Sequence, residues 1–278
     1  MDVKIARTAG FCWGVRRTVD KVMEVADQAK GPVVTLGPII HNPQVVARFQ
    51  EKGIRTVSDI DEVEQGTTVV VRTHGAVRDQ FARAKTRDLD LVDGTCPYVI
   101  FPQAMARRLS ADGYHLVIVG DANHAEIKGV ISHAEGPVTV VKPGEPVPDF
   151  KAKKVAVLAQ TTCIGAEFER VVGALALRHM EVRAVNTICD DTEQRQADAR
   201  ALAREVDAVV VVGGKNSANT RHLAEIRREI QPRTLHVETE EELETAWFGG
   251  CQVVGVSAGA STPDWVIEGV AAWLRRLP

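Results

Sequence analysis

What this 278-residue chain lacks narrows its function first. No run of about 18 apolar residues is present, so no segment reads as a membrane span. The N-terminal MDVKIARTAG has no apolar stretch of the signal-peptide kind, and the expectation is a cytoplasmic protein with reduced thiols. The formal charge is only −3, so no bulk basicity argues for nucleic acid as the main partner. Local basic clusters such as Lys151–Lys154 and Arg275–Arg276 read as solvated faces. G-x-G-x-x-G is missing after the strand-like run that ends at Gly213-Gly214, which leaves nicotinamide binding with little support. Cysteine is scarce: the five present are better ligands, nucleophiles or small buried residues than disulfide partners in such a compartment.

What is present is a threefold repeat. Three of the cysteines each follow a short strand-like run: residues 3–6 before Cys12, 89–92 before Cys96 and 182–185 before Cys189. A helical pattern follows each cysteine. Next comes an apolar strand ending in polar residues that open another helix. These are 33–37 leading to His41-Asn42-Pro43, 116–120 leading to Asn123-His124 and Glu126, and 209–214 leading to Asn216-Ser217-Ala218-Asn219. His41, His124 and Ser217 lie at near-equal distances beyond their cysteines. A second strand then leads to Thr73-His74-Gly75, to Gln160-Thr161-Thr162 and to Ala258-Gly259-Ala260-Ser261. Strand–helix alternation of this kind implies an α/β fold with largely parallel sheets. The expected organisation is three similar α/β units, 1–95, 96–188 and 189–278. The cysteines and polar clusters fall at the C-terminal ends of strands, where open α/β sheets bind ligands.

Three thiols, one per unit, suit a metal centre. A structural zinc site would take a fourth protein ligand. Cys163 and Cys251 break the register and read as buried thiols. Three thiolates are consistent with a four-iron cluster that keeps one iron open, and helix starts favour the thiolate form. The bland alternative is three unrelated core cysteines. The helix starts also suit an anion such as a diphosphate, because they offer unpaired N–H groups and a positive dipole end. His41, His74 and His124 add donors, and Ser217, Asn219 and Ser261 add neutral ones. Helix capping accounts equally well for Asn219 or Ser261 alone, and less well for the histidines. Glu126 is the obvious proton donor of the set, with a dipole-favoured helix-start acid as the plain alternative. Thr161 stands to orient Glu126 or a substrate hydroxyl. The acidic run Glu238–Glu242 reads as a solvated helix face.

These residues together resemble the LytB/IspH family of 4-hydroxy-3-methylbut-2-enyl diphosphate reductases. The resemblance rests on Ala9-Gly10-Phe11-Cys12-Trp13-Gly14-Val15, Gly37-Pro38-Ile39-Ile40-His41-Asn42, His74-Gly75, Thr95-Cys96-Pro97, His124-Ala125-Glu126, Gln160-Thr161-Thr162, Ile188-Cys189, residues 214–219 and residues 257–264. It covers nearly the whole chain. It implies a trefoil of three α/β domains around one 4Fe–4S cluster held by Cys12, Cys96 and Cys189. It implies that His41, His74, His124, Thr161, Ser217, Ala218, Asn219 and Ser261 bind the substrate, Ala218 through its backbone. It implies that Glu126 delivers protons with the support of Thr161 and His124, and that a ferredoxin or flavodoxin supplies electrons. The implied reaction removes the allylic hydroxyl as water and gives isopentenyl and dimethylallyl diphosphates.

The chain departs from that pattern at Ala125, at Ala218, at Ile100–Gln103 and at Asp190-Asp191. Pro102 is expected to shift the helix after Cys96, and the two aspartates to add negative charge beside the third ligand. Two other readings stand beside the reductase: a paralogue acting on a different allylic substrate, and a metal-binding regulatory protein without turnover.

Overall fold

The computed structural model describes residues 1–278. β1 (Asp2–Ile5) and α1 (Trp13–Gln28) open the chain, followed by β2 (Val33–Leu36), α2 (Pro43–Glu51), β3 (Arg55–Val57), β4 (Thr68–Val71), α3 (Arg78–Thr86) and β5 (Asp90–Asp93). The middle of the chain forms α4 (Pro97–Ala111), β6 (His115–Val119), α5 (Ala125–Ser132), β7 (Val138–Val141), β8 (Lys154–Ala159), α6 (Gly165–Ala176) and β9 (Glu181–Ala184). The last part forms α7 (Asp190–Ala203), β10 (Ala208–Val212), α8 (Ala218–Ile230), β11 (Thr234–Val237), β12 (Val253–Ala258) and α9 (Asp264–Arg275). No helix is long and apolar enough to cross a membrane.

The strands form three four-stranded sheets, ordered β3-β2-β4-β5, β7-β6-β8-β9 and β11-β10-β12-β1. Every pairing is parallel. The threefold α/β reading of the sequence is therefore borne out, and the three sheets share one strand order. In each sheet the edge strand after the two central ones is the strand that leads into a cysteine: β5 into Cys96, β9 into Cys189 and β1 into Cys12. β1 pairs with β12, from Asp2 beside Val253 to Ile5 beside Val256. The structural repeat thus begins after each cysteine. The last sheet takes its edge strand from the start of the chain, and after β12 the chain passes into α9.

The chain forms two compact units, one of residues 1–16, 40–48 and 190–278, the other of residues 17–39 and 49–189. In the first, alternation along β10 sorts its valines to opposite faces. Val210 and Val212 pack with Val266 and Val270 of α9, and Val209 and Val211 pack with Leu202 of α7 and Leu223 of α8. The second unit repeats the device in its β6–β9 sheet. Val117 and Val119 meet Val171 and Leu175 of α6, while Leu116 and Ile118 meet Leu109 of α4 and Ile127 of α5. Continuous valine runs are what sheets covered on both faces require.

α4 begins at Pro97, directly after Cys96, and Pro102 lies inside it. The expected shift of the helix start does not occur. A proline at the first helical position is pre-set for the turn, and Pro102 only removes one donor from the interior.

Candidate active site

All five cysteines are thiols. The three in the repeat make the same backbone hydrogen bond. Cys12 N–H donates to Ala260 O at 3.1 Å, Cys96 N–H to Thr73 O at 3.0 Å and Cys189 N–H to Thr161 O at 3.0 Å. Each acceptor lies in the loop after the sheet's neighbouring central strand: β12, β4 and β8. The strand order thus presents each cysteine at the C-terminal end of its sheet, at the start of α1, α4 or α7. Cys12 Sγ accepts from the N–H of Val15 at 3.4 Å, as a helix-start thiol does. Burial pushes the Cys96 thiol above its ordinary value, against the opposing N–H groups of Tyr98 and Val99. At Cys96 burial outweighs what the helix start does to favour the thiolate. Cys163 is buried as expected, its thiol pushed up to about 12 by burial and by Glu167. Cys251 is only half-buried against the core of the first unit.

In the second unit, Glu126 is 1 % exposed. Thr161 holds it at both oxygens, backbone N–H to Oε1 at 2.7 Å and hydroxyl to Oε2 at 2.8 Å. Burial raises the carboxyl above its ordinary value, and the two Thr161 bonds only partly oppose this. Thr161 also accepts the N–H of Cys189, so one residue touches both the acid and a cysteine. His124 Nδ1 accepts from Glu126 N–H at 3.2 Å and caps α5. For His124, then, the capping reading that accounts less well for the histidines does hold. With Nδ1 accepting, the proton of the neutral ring sits on Nε2. The His74 ring meets that of His124 edge-on, with centroids 5.2 Å apart. The structure therefore brings Glu126, Thr161, His124 and His74 into one cluster.

In the first unit, Ser217 caps α8 by accepting from Thr220 N–H at 3.3 Å. Ala218 and Asn219 occupy its buried first turn. Ser261 is not a cap: α9 is capped at Pro263, and Ser261 Oγ donates to His41 O at 3.4 Å. A Cβ on Gly214 would run into the His41 carbonyl, and one on Gly259 into the Thr220 hydroxyl. The glycines of these motifs thus let the loops of His41, Ser217 and Ser261 approach one another. The acidic run is more than a solvated face: Glu238 Oε1 accepts from Lys215 N–H at 2.8 Å and Glu242 Oε2 pairs with Lys215 Nζ at 2.5 Å. These bonds fasten the loop that leads to Ser217. The expected charge of Asp191 is also offset, since its carboxylate pairs with Arg195 at 2.5 Å.

Reading the sequence by residue type misses several polar groups that the same motifs contain. Asn42 Nδ2, Thr73 Oγ1 and Gln160 Nε2 are buried with no protein partner, as is Nδ2 of the expected Asn219. Buried polar atoms in native folds are normally paired, so orphans in the loops that carry His41, His74 and Thr161 mark places for a ligand or ordered water. Their only signal in the sequence is membership of the GPIIHN, THG and QTT segments.

The family model of the LytB protein matches residues 3–275. The 4-hydroxy-3-methylbut-2-enyl diphosphate reductase of Anaeromyxobacter sp. (strain K) is 81 % identical over 277 residues, with 100 % of each chain covered. That of Geobacter sulfurreducens is 49 % identical over 271 residues, 97 % of this chain and 95 % of the relative. A solved structure of (E)-4-hydroxy-3-methyl-but-2-enyl diphosphate reductase, the terminal enzyme of the non-mevalonate pathway, is 42 % identical and matches with TM-score 0.75 over 100 % of both chains. The E-1-hydroxy-2-methyl-but-2-enyl-4-diphosphate reductase of Plasmodium falciparum shares the fold, with TM-score 0.91 at 22 % identity over 100 % of this chain and 89 % of that one. Full-length identity on this scale, with the cysteine and Glu126 motifs in order, leads to one conclusion: the chain belongs to the LytB protein family.

Proposed function

We propose that the chain is a 4-hydroxy-3-methylbut-2-enyl diphosphate reductase, removing the allylic hydroxyl as water and giving isopentenyl and dimethylallyl diphosphates. The observation that carries this reading is the double role of Thr161, which holds the carboxyl of Glu126 through two donors and takes the N–H of Cys189 on its carbonyl. A proton donor is thereby tied to a metal-ligand candidate through one residue.

Each of the segments 1–95, 96–188 and 189–278 supplies one cysteine to a 4Fe–4S cluster in this proposal: Cys12, Cys96 and Cys189. The residues fit such a group, since three thiols share one backbone placement and none is consumed in a disulfide. Bound there, the cluster would supply electrons and a Lewis-acidic iron to the substrate's hydroxyl end.

The chain's own residues supply the rest. A backbone N–H can only donate, so Glu126 Oε1 is an acceptor in either protonation state. A hydroxyl can reverse its role, so the proton of the neutral acid sits on Oε2, with Thr161 Oγ1 as its acceptor. Burial keeps that proton bound at a higher pH than an ordinary carboxyl would, as a general acid near neutrality requires. His41, His74 and His124, with Ser217, Asn219, Ser261 and the backbone at Ala218, hold the diphosphate. Donors at helix starts need no reorganisation to receive it. His124 presents Nε2–H to it while Nδ1 is engaged at the helix cap. Electrons come from a ferredoxin or flavodoxin, and the protein works in the cytoplasm.

Anaerobic purification, iron and sulfide analysis, and addition of 4-hydroxy-3-methylbut-2-enyl diphosphate with a chemical reductant test the proposal. Near four irons per chain and release of both five-carbon diphosphates are expected. A full cluster with no product would defeat the activity, and a zinc-containing or metal-free protein would defeat the cluster.

A further inference from the structure

The three cysteines share a backbone bond but not a tether. Residues 94–95 separate Cys96 from its strand, residues 185–188 separate Cys189, and residues 6–11 separate Cys12. All three leave an edge strand, and the last is the longest connection. Without further ties it has the most conformational freedom to lose when Cys12 is fixed.

Those ties come from α7. Asp198 accepts both the N–H of Thr8 at 3.0 Å and its hydroxyl at 2.9 Å. Arg195 donates to the Thr8 carbonyl and pairs with Asp191 through Nε at 2.5 Å and Nη2 at 3.3 Å. Every polar group of Thr8 is thus held by one helix. The holders are themselves enclosed, with the side chain of Arg195 4 % exposed and that of Asp198 10 %. Arg227 of α8, fully buried, adds a positive charge that acts on Asp198. The loop also abuts α9. Gly10 has φ +106°, and a Cβ there would lie 2.6 Å from Asp264 Oδ1. A loop held at Thr8 by α7 and close-packed at Gly10 against α9 has little freedom left at its last residue.

We propose that Arg195 and Asp198 are positioning residues for Cys12, setting the reach and direction of its thiol through Thr8. The inference rests on the reading of Cys12 as a ligand, and it gives Asp191 a use: that aspartate orients Arg195. A bidentate guanidinium is required, because lysine can pair as a point charge but cannot make the fork.

The test is site-resolved alkylation of the reduced, cluster-free full-length chain by iodoacetamide, read peptide by peptide in the mass spectrometer. Reactivity follows local opening as well as thiolate fraction. Arg195→Met and Asp198→Asn should each raise the rate at Cys12 at least about fivefold over Cys96 and Cys189, which keep their own tethers. Arg195→Lys should recover only part of the protection. Thr8→Val, which removes one hydroxyl and carries little risk to folding, should shift Cys12 in the same direction by less. Equal acceleration at all three cysteines would show general loosening and overturn the proposal, as would an unchanged Cys12. Iron analysis of the reconstituted wild-type chain is read separately. A wild type that takes up no iron removes the ligand reading, whereas a loaded wild type with Cys12 indifferent to Arg195 and Asp198 removes only the positioning role.

Discussion

Thr161 engages the two oxygens of Glu126 with different kinds of donor, a backbone N–H at 2.7 Å and a hydroxyl at 2.8 Å. Side-chain replacement can remove only the second. Glu126→Gln keeps the shape and both contacts but has no acidic proton to give. Turnover should fall by about 10²–10⁴-fold, the usual worth of a positioned acid, while iron content and substrate affinity stay near wild type. Thr161→Val keeps the N–H bond and loses the reversible partner of the Oε2 proton. Its loss should be smaller, about 10- to 100-fold. Single-turnover kinetics with a chemical reductant measures both, and a near-normal rate for Glu126→Gln removes Glu126 from the mechanism.

The same burial makes stability depend on pH. Burial raises the folded-state pKa of Glu126 above the unfolded value of about 4.3. A group shifted this way contributes stability that is fully present below the unfolded pKa and is lost as pH rises through the folded one. Glutamine has no such titration. The melting temperature of Glu126→Gln should therefore gain on that of the wild type as pH is raised from the acid side past neutrality. A constant gap across that range would mean that the carboxyl is not costly to ionise in place.

Cys96→Ser keeps the backbone bond to Thr73, since only the side chain changes. It replaces a thiol that ionises in a metal's field by a hydroxyl that does not. Iron and sulfide per chain should drop to a small fraction of wild type after anaerobic reconstitution, with the visible absorption lost alongside. Full iron retention would break the ligand assignment.

The fold was legible in the sequence because its signals are local and repeated. Valine runs mark central strands, and each polar turn after them marks a helix start. The join of β1 to β12 was not legible, because the run before Cys12 looks like those before Cys96 and Cys189. The candidate site was legible as residue types, with His124, Glu126 and Thr161 in register. Its hydrogen bonding was not. That His124 caps α5 through Nδ1, or that Glu238 and Glu242 clamp Lys215, depends on side-chain directions that spacing does not specify. Asp191 likewise reads as an added charge until Arg195, one turn on, is found against it.

Asn219 offers a prediction in which stability and binding separate. Its Nδ2 is buried with no protein partner, so the folded chain already bears the cost of that donor. Asn219→Ala should leave the melting temperature within a few degrees of wild type or raise it. A hydrogen bond to a charged phosphate is worth about 1.5–3 kcal/mol, so KM should rise by about 10- to 100-fold. A large fall in melting temperature with an unchanged KM would make Asn219 a structural residue.

Gly259 should be irreplaceable for a reason that a second substitution can expose. It follows β12, and a Cβ there would run into the hydroxyl of Thr220 and come within 3.1 Å of its Cβ. Thr220 is fully buried on the first turns of α8, beside Asn219, and its hydroxyl has no protein partner. Gly259→Ala must therefore displace α8 or its own loop, at a cost of about 1–3 kcal/mol, and should raise KM by moving Asn219 and Ser261 apart. Thr220→Ala removes the nearest obstruction, the hydroxyl, while keeping the Cβ, and it orphans no hydrogen bond. In the double variant the two changes should offset each other in part, giving a coupling of about 1 kcal/mol in denaturant melts and a partial return of KM. Strict additivity of the two substitutions would show that the close approach of Gly259 to Thr220 is not what holds the loop of Ser261 against α8.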